Sequence, residues 1–288
     1  MNWKATDEKL IRRGELILNL EALKNHGKEL ENMNRGRPGP RYRLANSYIQ
    51  LLAAVRYLFS MPYRQLEGYT RILHRLVPEL PQADYSGIRK RILRLPVDPY
   101  TRLKDTGQPV TIALDSTGVK VEKAGGWIER KHGERHTKLH FAVNTVTHEV
   151  VSMEITTDDA HDSRAVPGLL DEAGRNVRVA EAILDGAYDS EEVYTELERR
   201  GIEPVIKPRR NARSDTGALS RGVAVGQVRE LGYRTWAELV GYGRRWAVET
   251  AYSTFKRLFG ESAMGRSLRN IALELAGKVA LYNMLVNM

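Results

Sequence analysis

Tyr242, Arg245, Glu249 and Lys256 follow one another at intervals of three, four and seven residues. With each residue of an α-helix turning by roughly 100°, these positions fall within an arc of roughly 60°. One stripe would then carry an aromatic hydroxyl, a guanidinium, a carboxylate and an ammonium. Beside it runs an apolar stripe of Val248, Ala251, Tyr252, Phe255 and Phe259, which would hold the helix on a core. A carboxylate between two cations, at the margin of a buried face, suits a site that handles a metal ion and a phosphate together. Two further carboxylates, Asp115 and Asp185, close the apolar, β-branched runs 110–115 and 177–185. Strand ends in open α/β sheets are where sites form. Three carboxylates, with no cysteine and no evident histidine cluster, favour a hard, oxygen-seeking cation such as Mg²⁺, with Mn²⁺ as a substitute. Two such ions about 3.5–4 Å apart can activate water and stabilise the leaving oxygen of a phosphodiester.

The elements that must position these groups read as a mixed α/β layer from about residue 105 to 288. Strands are expected at 110–115, 138–144, 149–156, 177–184 and 203–207, the second and third paired antiparallel through the turn 144–148. Helices are expected at 163–174, 190–200, 234–240, 244–259 and 268–288. Residues 208–232 are polar and basic and read as a loop. Before this part lies a helical region, residues 1–100, with a loose apolar pattern over 1–31 and a breaker-rich basic linker at 34–41. Helices follow over 42–59, 62–77 and 84–95, with Ser60 and Asp84 as capping candidates. The last of the three carries Arg89, Lys90, Arg91 and Arg94, a pattern resembling a helix-turn-helix reader of DNA.

Charge is distributed in the same way. Residues 1–100 hold 18 Lys and Arg against 10 Asp and Glu, and the remainder 27 against 26. The formal charge of +9 therefore belongs to the N-terminal third and points to a polyanionic partner. Zero cysteines exclude disulfides and thiolate chemistry and suit a cytoplasmic protein. No apolar run approaches the roughly 18 residues that span a bilayer, and the first 20 residues lack a signal-peptide pattern.

These residues resemble the catalytic domain of DDE transposases of prokaryotic insertion sequences, in the group marked by a Y-x2-R-x3-E-x6-K signature. Tyr242, Arg245, Glu249 and Lys256 match it without a gap. Residues 114–118 (LDSTG), 130–133 (RKHG), 138–140 (KLH), 184–189 (LDGAYD) and 61–67 (MPYRQLE) resemble the same group. The resemblance implies a ribonuclease H-like fold, with Asp115, Asp185 and Glu249 as ligands of two metal ions. Tyr242, Arg245 and Lys256 would hold DNA near the scissile phosphate. It further implies hydrolysis at the ends of the element and transfer of the freed 3′-hydroxyl to target DNA, by a homodimer or larger assembly on the two ends. Two rivals stay open: a metal nuclease without strand transfer, and a transposase-derived DNA-binding regulator that no longer cuts. Some relatives carry a large β-rich insertion before the helix bearing the glutamate; here only about 25 residues fill that slot, so any role of such an insertion does not transfer.

Other signals weigh less. His132, His136 and His140 recur every fourth residue, but Gly133 and the strand-like run after it argue against a helical zinc face. Ser116 lacks a base partner. Trp127 and Trp246 could stack on bases but read better as packing residues. Arg209, Arg210 and Arg213 could track phosphates or be solvated. Asp189 reads as the cap of the helix starting at Ser190.

Overall fold

The computed structural model describes residues 8, 11, 24–105, 107–121, 136–157, 160–214 and 217–288. Two compact units emerge: Met1–Asp98 with Leu273–Leu281 and Met288, and Pro99–Ala272 with Tyr282–Asn287. The helix expected over 1–31 falls mostly outside the described residues.

The first unit contains α1 (His26–Asn34), α2 (Asn46–Leu58), α3 (Tyr63–Leu76) and α4 (Tyr85–Ile92). Tyr48, Ile49, Leu52, Leu66 and Ile88 are buried completely and form its core. Helix α4 starts where expected because the Asp84 carboxylate accepts from the backbone N–H groups of Ser86 and Gly87 at 3.0 and 2.8 Å. Ser60 does not cap α3. Its backbone is left-handed at φ 49, and Pro62 takes the cap position without a side-chain bond.

The second unit is built on one sheet of β1 (Val110–Val121), β2 (His136–Asn144), β3 (Val150–Thr157), β4 (Val179–Leu184), β5 (Glu203–Ile206) and β6 (Ser262–Ala263). The order is β3-β2-β1-β4-β5, with β6 beside the far end of β1. Strands β1, β2 and β3 form an antiparallel meander, whereas β4 runs parallel to β1 and β5 parallel to β4. This is the ribonuclease H-like arrangement expected. Both faces are covered, as a sheet with parallel pairs requires. On one face Ile112, Leu114, Ala182 and Leu184 pack with residues of α5 (Val166–Asn176) and α6 (Glu191–Arg199). On the other, Ile183 and Val205 pack with Trp236 of α8 (Tyr233–Leu239) and with Tyr242. There Phe141 also stacks on Tyr252 of α9 (Trp246–Phe259), ring centroids 4.7 Å apart.

Three features depart from the sequence reading. Strand β1 runs past Asp115 to Val121, so that carboxylate sits inside a strand. Residues 208–232 are not simply a loop, since they contain α7 (Leu219–Leu231). The glycines and arginines of that segment hide a short apolar face, on which Ala224 and Val225 are buried. Finally, β4 pairs with Val110–Ala113 and β6 with Lys120–Val121, so residues 114–119 have no strand partner on that edge among the described residues. The final helix, α10 (Leu268–Val286), supplies residues to each unit. Among the described residues no helix is long and apolar enough to cross a membrane.

In the second unit the buried Asn283 side chain pins the start of β3. Its carbonyl accepts from Val150 N–H at 2.8 Å, and its amide donates to the Val150 and Pro99 carbonyls at 2.8 and 3.1 Å. Truncation to alanine leaves a buried N–H and carbonyl without partners. Asn283→Ala is expected to cost about 2–4 kcal/mol, read as a lower urea midpoint at unchanged slope.

Candidate active site

Sheet register brings the two aspartates together. Ile112 lies opposite Ala182 and Ala113 opposite Ile183, so two steps further Asp115 comes level with Asp185 on the neighbouring strand path. Adjacent strands are about 4.8 Å apart, and alternation gives both residues the face of Ala113 and Ile183. Helix α9 packs on that same face. Asp185 ends β4 because its carboxylate accepts from Ala187 N–H at 2.8 Å and starts a single 3₁₀ turn. Asp115 accepts from the N–H of Ser116 at 2.8 Å.

The third carboxylate arrives from α9. The four-residue register is not one α-helical stripe: Tyr242–Arg245 form a 3₁₀ turn, entered through Gly241 at φ 62, and the α-helix begins at Trp246. The tighter turn reorients the first two members. Tyr242 is buried against Trp236, ring centroids 5.5 Å apart, and burial pushes its phenol up to about 12. Arg245 reaches across the site instead. Its guanidinium pairs with Glu249 and lies 3.4 Å from the Asp115 carboxylate. Glu249 stands in the first turn of α9, half exposed. Lys256 lies two turns further along, 3.8 Å from Glu261, so the structure does not join it to the acidic group.

Electrostatics mark the cluster as short of positive charge. Burial, followed by the carboxylates of Asp185 and Glu249, raises the Asp115 pKa, while the Ser116 N–H and Arg245 oppose the rise. Burial disfavours the Arg245 charge, yet Tyr242, Glu249, Asp115 and Asp185 together hold its pKa above the ordinary value. Among the described residues no three acidic, histidine or cysteine side chains stand close enough together to hold a metal ion. The donor chemistry nevertheless fits a hard divalent cation: oxygen donors only, one of them raised in basicity by burial and, after it, by like-charged neighbours.

The surroundings fix these groups, and several contributors escaped the sequence reading. Tyr252, expected only to pack, donates its hydroxyl to the Asp115 carbonyl at 2.7 Å and also lies 3.0 Å from the Leu139 carbonyl. On the opposite face Ser116 donates to Asp162 at 2.9 Å, and Lys138 pairs with the same carboxylate at 3.0 Å. Burial opposes the Asp162 charge, but the bonds from Lys138 and Ser116 outweigh it and lower its pKa. No spacing in the sequence singles out Asp162, because its partners come from two other strands. Asp189 is not a helix cap; that role falls to Ser190. The buried Asp189 carboxylate instead accepts from Arg209 N–H and pairs with Arg221, both at distances of 2.7–2.8 Å. Arg209 in turn donates to the carbonyls of Gly186 and Ala187 at 2.9 and 2.8 Å, clasping the turn behind Asp185.

The remaining candidates are placed as follows. Trp246 is 59% exposed and meets His148 edge-on at 5.8 Å. His140 is fully buried on β2 with Nε2 2.8 Å from the Thr156 hydroxyl; His132, Trp127 and the His136 side chain lie outside the described residues. In the first unit Arg89, Lys90 and Arg94 are exposed on or just after α4. Arg91 is turned inward, donating to the Leu44 carbonyl and the Asn46 side chain at 3.1 and 2.8 Å.

A family described as "Transposase DDE domain" matches residues 106–284, and a second of the same description matches residues 11–124. The chain belongs to the DDE transposase family. Among solved structures it is similar to the piggyBac transposase synaptic complex with hairpin DNA, at 11% identity over 96% of this chain and 74% of that one, TM-score 0.44. It is also similar to the simian T-cell lymphotropic virus intasome in complex with the PP2A regulatory subunit B56 gamma, at 16% identity over 72% and 69%, TM-score 0.27.

A raised Asp115 pKa means that the fold favours the neutral acid. The associated stability is complete below the ordinary value of 3.8 and is lost as pH rises through the raised one. Asp115→Asn, measured without metal, is therefore expected to raise Tm at neutral pH by about 2–4 °C. The gain should shrink to nothing as the pH falls to about 3. A gain independent of pH would mean that Asp115 carries no unfavourable charge.

Proposed function

We propose that this chain is the transposase of a prokaryotic insertion sequence, of the group with the Y-x2-R-x3-E-x6-K signature. It binds the terminal inverted repeats, cleaves the element ends by metal-dependent phosphodiester hydrolysis, and transfers the 3′-hydroxyl to target DNA. The observation that carries this reading is the convergence of Asp115 and Asp185 on one sheet face, with Glu249 linked to Asp115 through Arg245.

In this reading Asp115, Asp185 and Glu249 hold the divalent ions, Mg²⁺ or in its place Mn²⁺. Such ions, when bound, supply Lewis-acid activation of the attacking hydroxyl and charge stabilisation at the phosphate. The protein's own contribution is placement and charge. Tyr252 and the sheet fix the Asp115 backbone, and Arg209 fixes the turn that carries Asp185. The Arg245 guanidinium can exchange its carboxylates for two oxygens of a phosphate, a bidentate geometry that an ammonium cannot copy. Lys256 adds a point charge further along the DNA backbone, and the Tyr242 hydroxyl, protonated throughout the working pH range, stays a hydrogen-bond donor. Two ends must be joined, so the working form is a homodimer or larger assembly on chromosomal DNA in the cytoplasm.

Cleavage of DNA carrying the sequences that flank the gene tests the proposal, with wild type, Asp185→Ala and Glu249→Gln in Mg²⁺, Mn²⁺ or EDTA. Metal-dependent 3′-hydroxyl ends at a fixed position are expected from wild type alone, with end binding nearly intact in Glu249→Gln. Joined strand-transfer product separates a transposase from a simple nuclease. Specific binding without cutting in any metal would replace the reading by that of a DNA-binding regulator.

A further inference from the structure

Between α1 and α2 the chain forms a closed loop. The Asn34 side chain acts as a strand partner for Tyr42: its carbonyl accepts from Tyr42 N–H at 2.7 Å, and its amide donates to the Tyr42 carbonyl at 2.9 Å. Residues 35–41 between them read Arg-Gly-Arg-Pro-Gly-Pro-Arg, and every one is exposed. Gly36 and Gly39 have φ values of +66° and +89°, where a side chain is strained, and a Cβ at either would meet nothing within 4 Å. The tip therefore stands clear of the described residues as a thin ridge of glycine, proline and arginine.

Its base is braced with some care for charge. Arg91 of α4, withdrawn from the exposed face of that helix, lies 4.2 Å from the Tyr42 ring centroid and holds Leu44 and Asn46. Arg37 lies 4.0 Å from the same ring centroid and donates to the Pro40 carbonyl at 3.1 Å. Burial, together with other influences that include repulsion from Arg37, lowers the Arg91 pKa. Such crowding of cations is unfavourable in the protein alone and is relieved by a polyanion. From Met33 to Ala45 there is no acidic residue to neutralise Arg35, Arg37, Arg41 and Arg43.

We propose that this loop inserts its arginines into the minor groove of A·T-rich DNA. The inference rests on the proposal that the chain binds DNA, and it shifts the main sequence-reading contact from the helix α4 to the loop. Shape and charge both favour it. A major groove about 12 Å wide is filled by a helix or a two-stranded ribbon, whereas a narrow A·T groove about 6 Å wide attracts arginine through its stronger negative potential. Residues without bulky side chains let the backbone approach, and Pro38 and Pro40 limit the entropy lost on ordering. Arg89 and Lys90 of α4 then serve the phosphates.

Fluorescence anisotropy with the full chain, in EDTA and at fixed salt, decides the matter on three short duplexes of A·T, G·C and inosine·C pairs. Inosine·C keeps the major-groove face of G·C at O6 and N7 but lacks the minor-groove amino group. Wild type is expected to bind the A·T and inosine·C duplexes roughly tenfold more tightly than G·C. Arg35→Ala/Arg41→Ala should lose that preference while retaining most of its binding to G·C. Arg35→Lys/Arg41→Lys should lose it too, because lysine keeps the charge but not the flat fork. A preference for A·T not shared by inosine·C, or one unchanged in both double variants, overturns the loop's role. An equal loss on all three duplexes would mean phosphate contact only and overturns minor-groove insertion. A wild-type chain that binds none of the duplexes removes the DNA-binding proposal itself.

Discussion

The rest of this site depends on one constraint, a partly buried Asp115 carboxylate set within the field of Asp185 and Glu249. Burial, and after it the charges of Asp185 and Glu249, favours the neutral acid at Asp115. Parallel pairing of β1 with β4 brings Asp115 and Asp185 near one another. The ladder ends at Ala113 opposite Ile183, two residues short of both aspartates, and so sets the paths along which the two chains continue to them. Arg245 then relieves part of the field by spanning Glu249 and Asp115.

The supports around it belong to several elements, each acting on backbone as well as on side chain. The Tyr252 hydroxyl ties β1 to α9 at the Asp115 carbonyl. Arg209 performs the same service for the turn after Asp185, and the buried pair of Asp189 and Arg221 secures Arg209's own segment to α7. Breaking one half of a buried pair strands the other charge, so such a pair holds geometry more than it adds stability. The network beneath the sheet, in which Asp162 receives Ser116 and Lys138, keeps β1 and β2 in register at the level of the site.

Much of this was legible in the sequence. Apolar runs ending in Asp115 and Asp185, and the apolar face of α9, fixed the sheet face and the helix that meet, because burial imposes periodicity. What was not legible came from geometry that periodicity does not encode. The left-handed Gly241 and the 3₁₀ turn after it separate Tyr242 and Arg245 from the helix that carries Glu249. Strand β1 continues beyond Asp115 because β2 and β6 pair with its far half, a long-range fact. Asp162, Asp189 and Arg209 have partners dozens of residues away or in other elements, so no local spacing announces them. In the N-terminal unit the basic helix was visible, but not that Arg91 turns inward, since only the position of Tyr42 and Asn46 decides it.

Residues 114–119 have no strand partner on one edge among the described residues, while β4 and β6 hold β1 on either side of them. The backbone groups of that stretch have no ladder to join on that side. Here the stretch is framed within a single strand, so its length is set by where two flanking ladders stop. Lengthening β4 by two residues would carry its ladder with β1 up to the level of Asp115 and Asp185. The end point of one short strand thus sets how much of β1 beside Asp115 stays without a partner on that side.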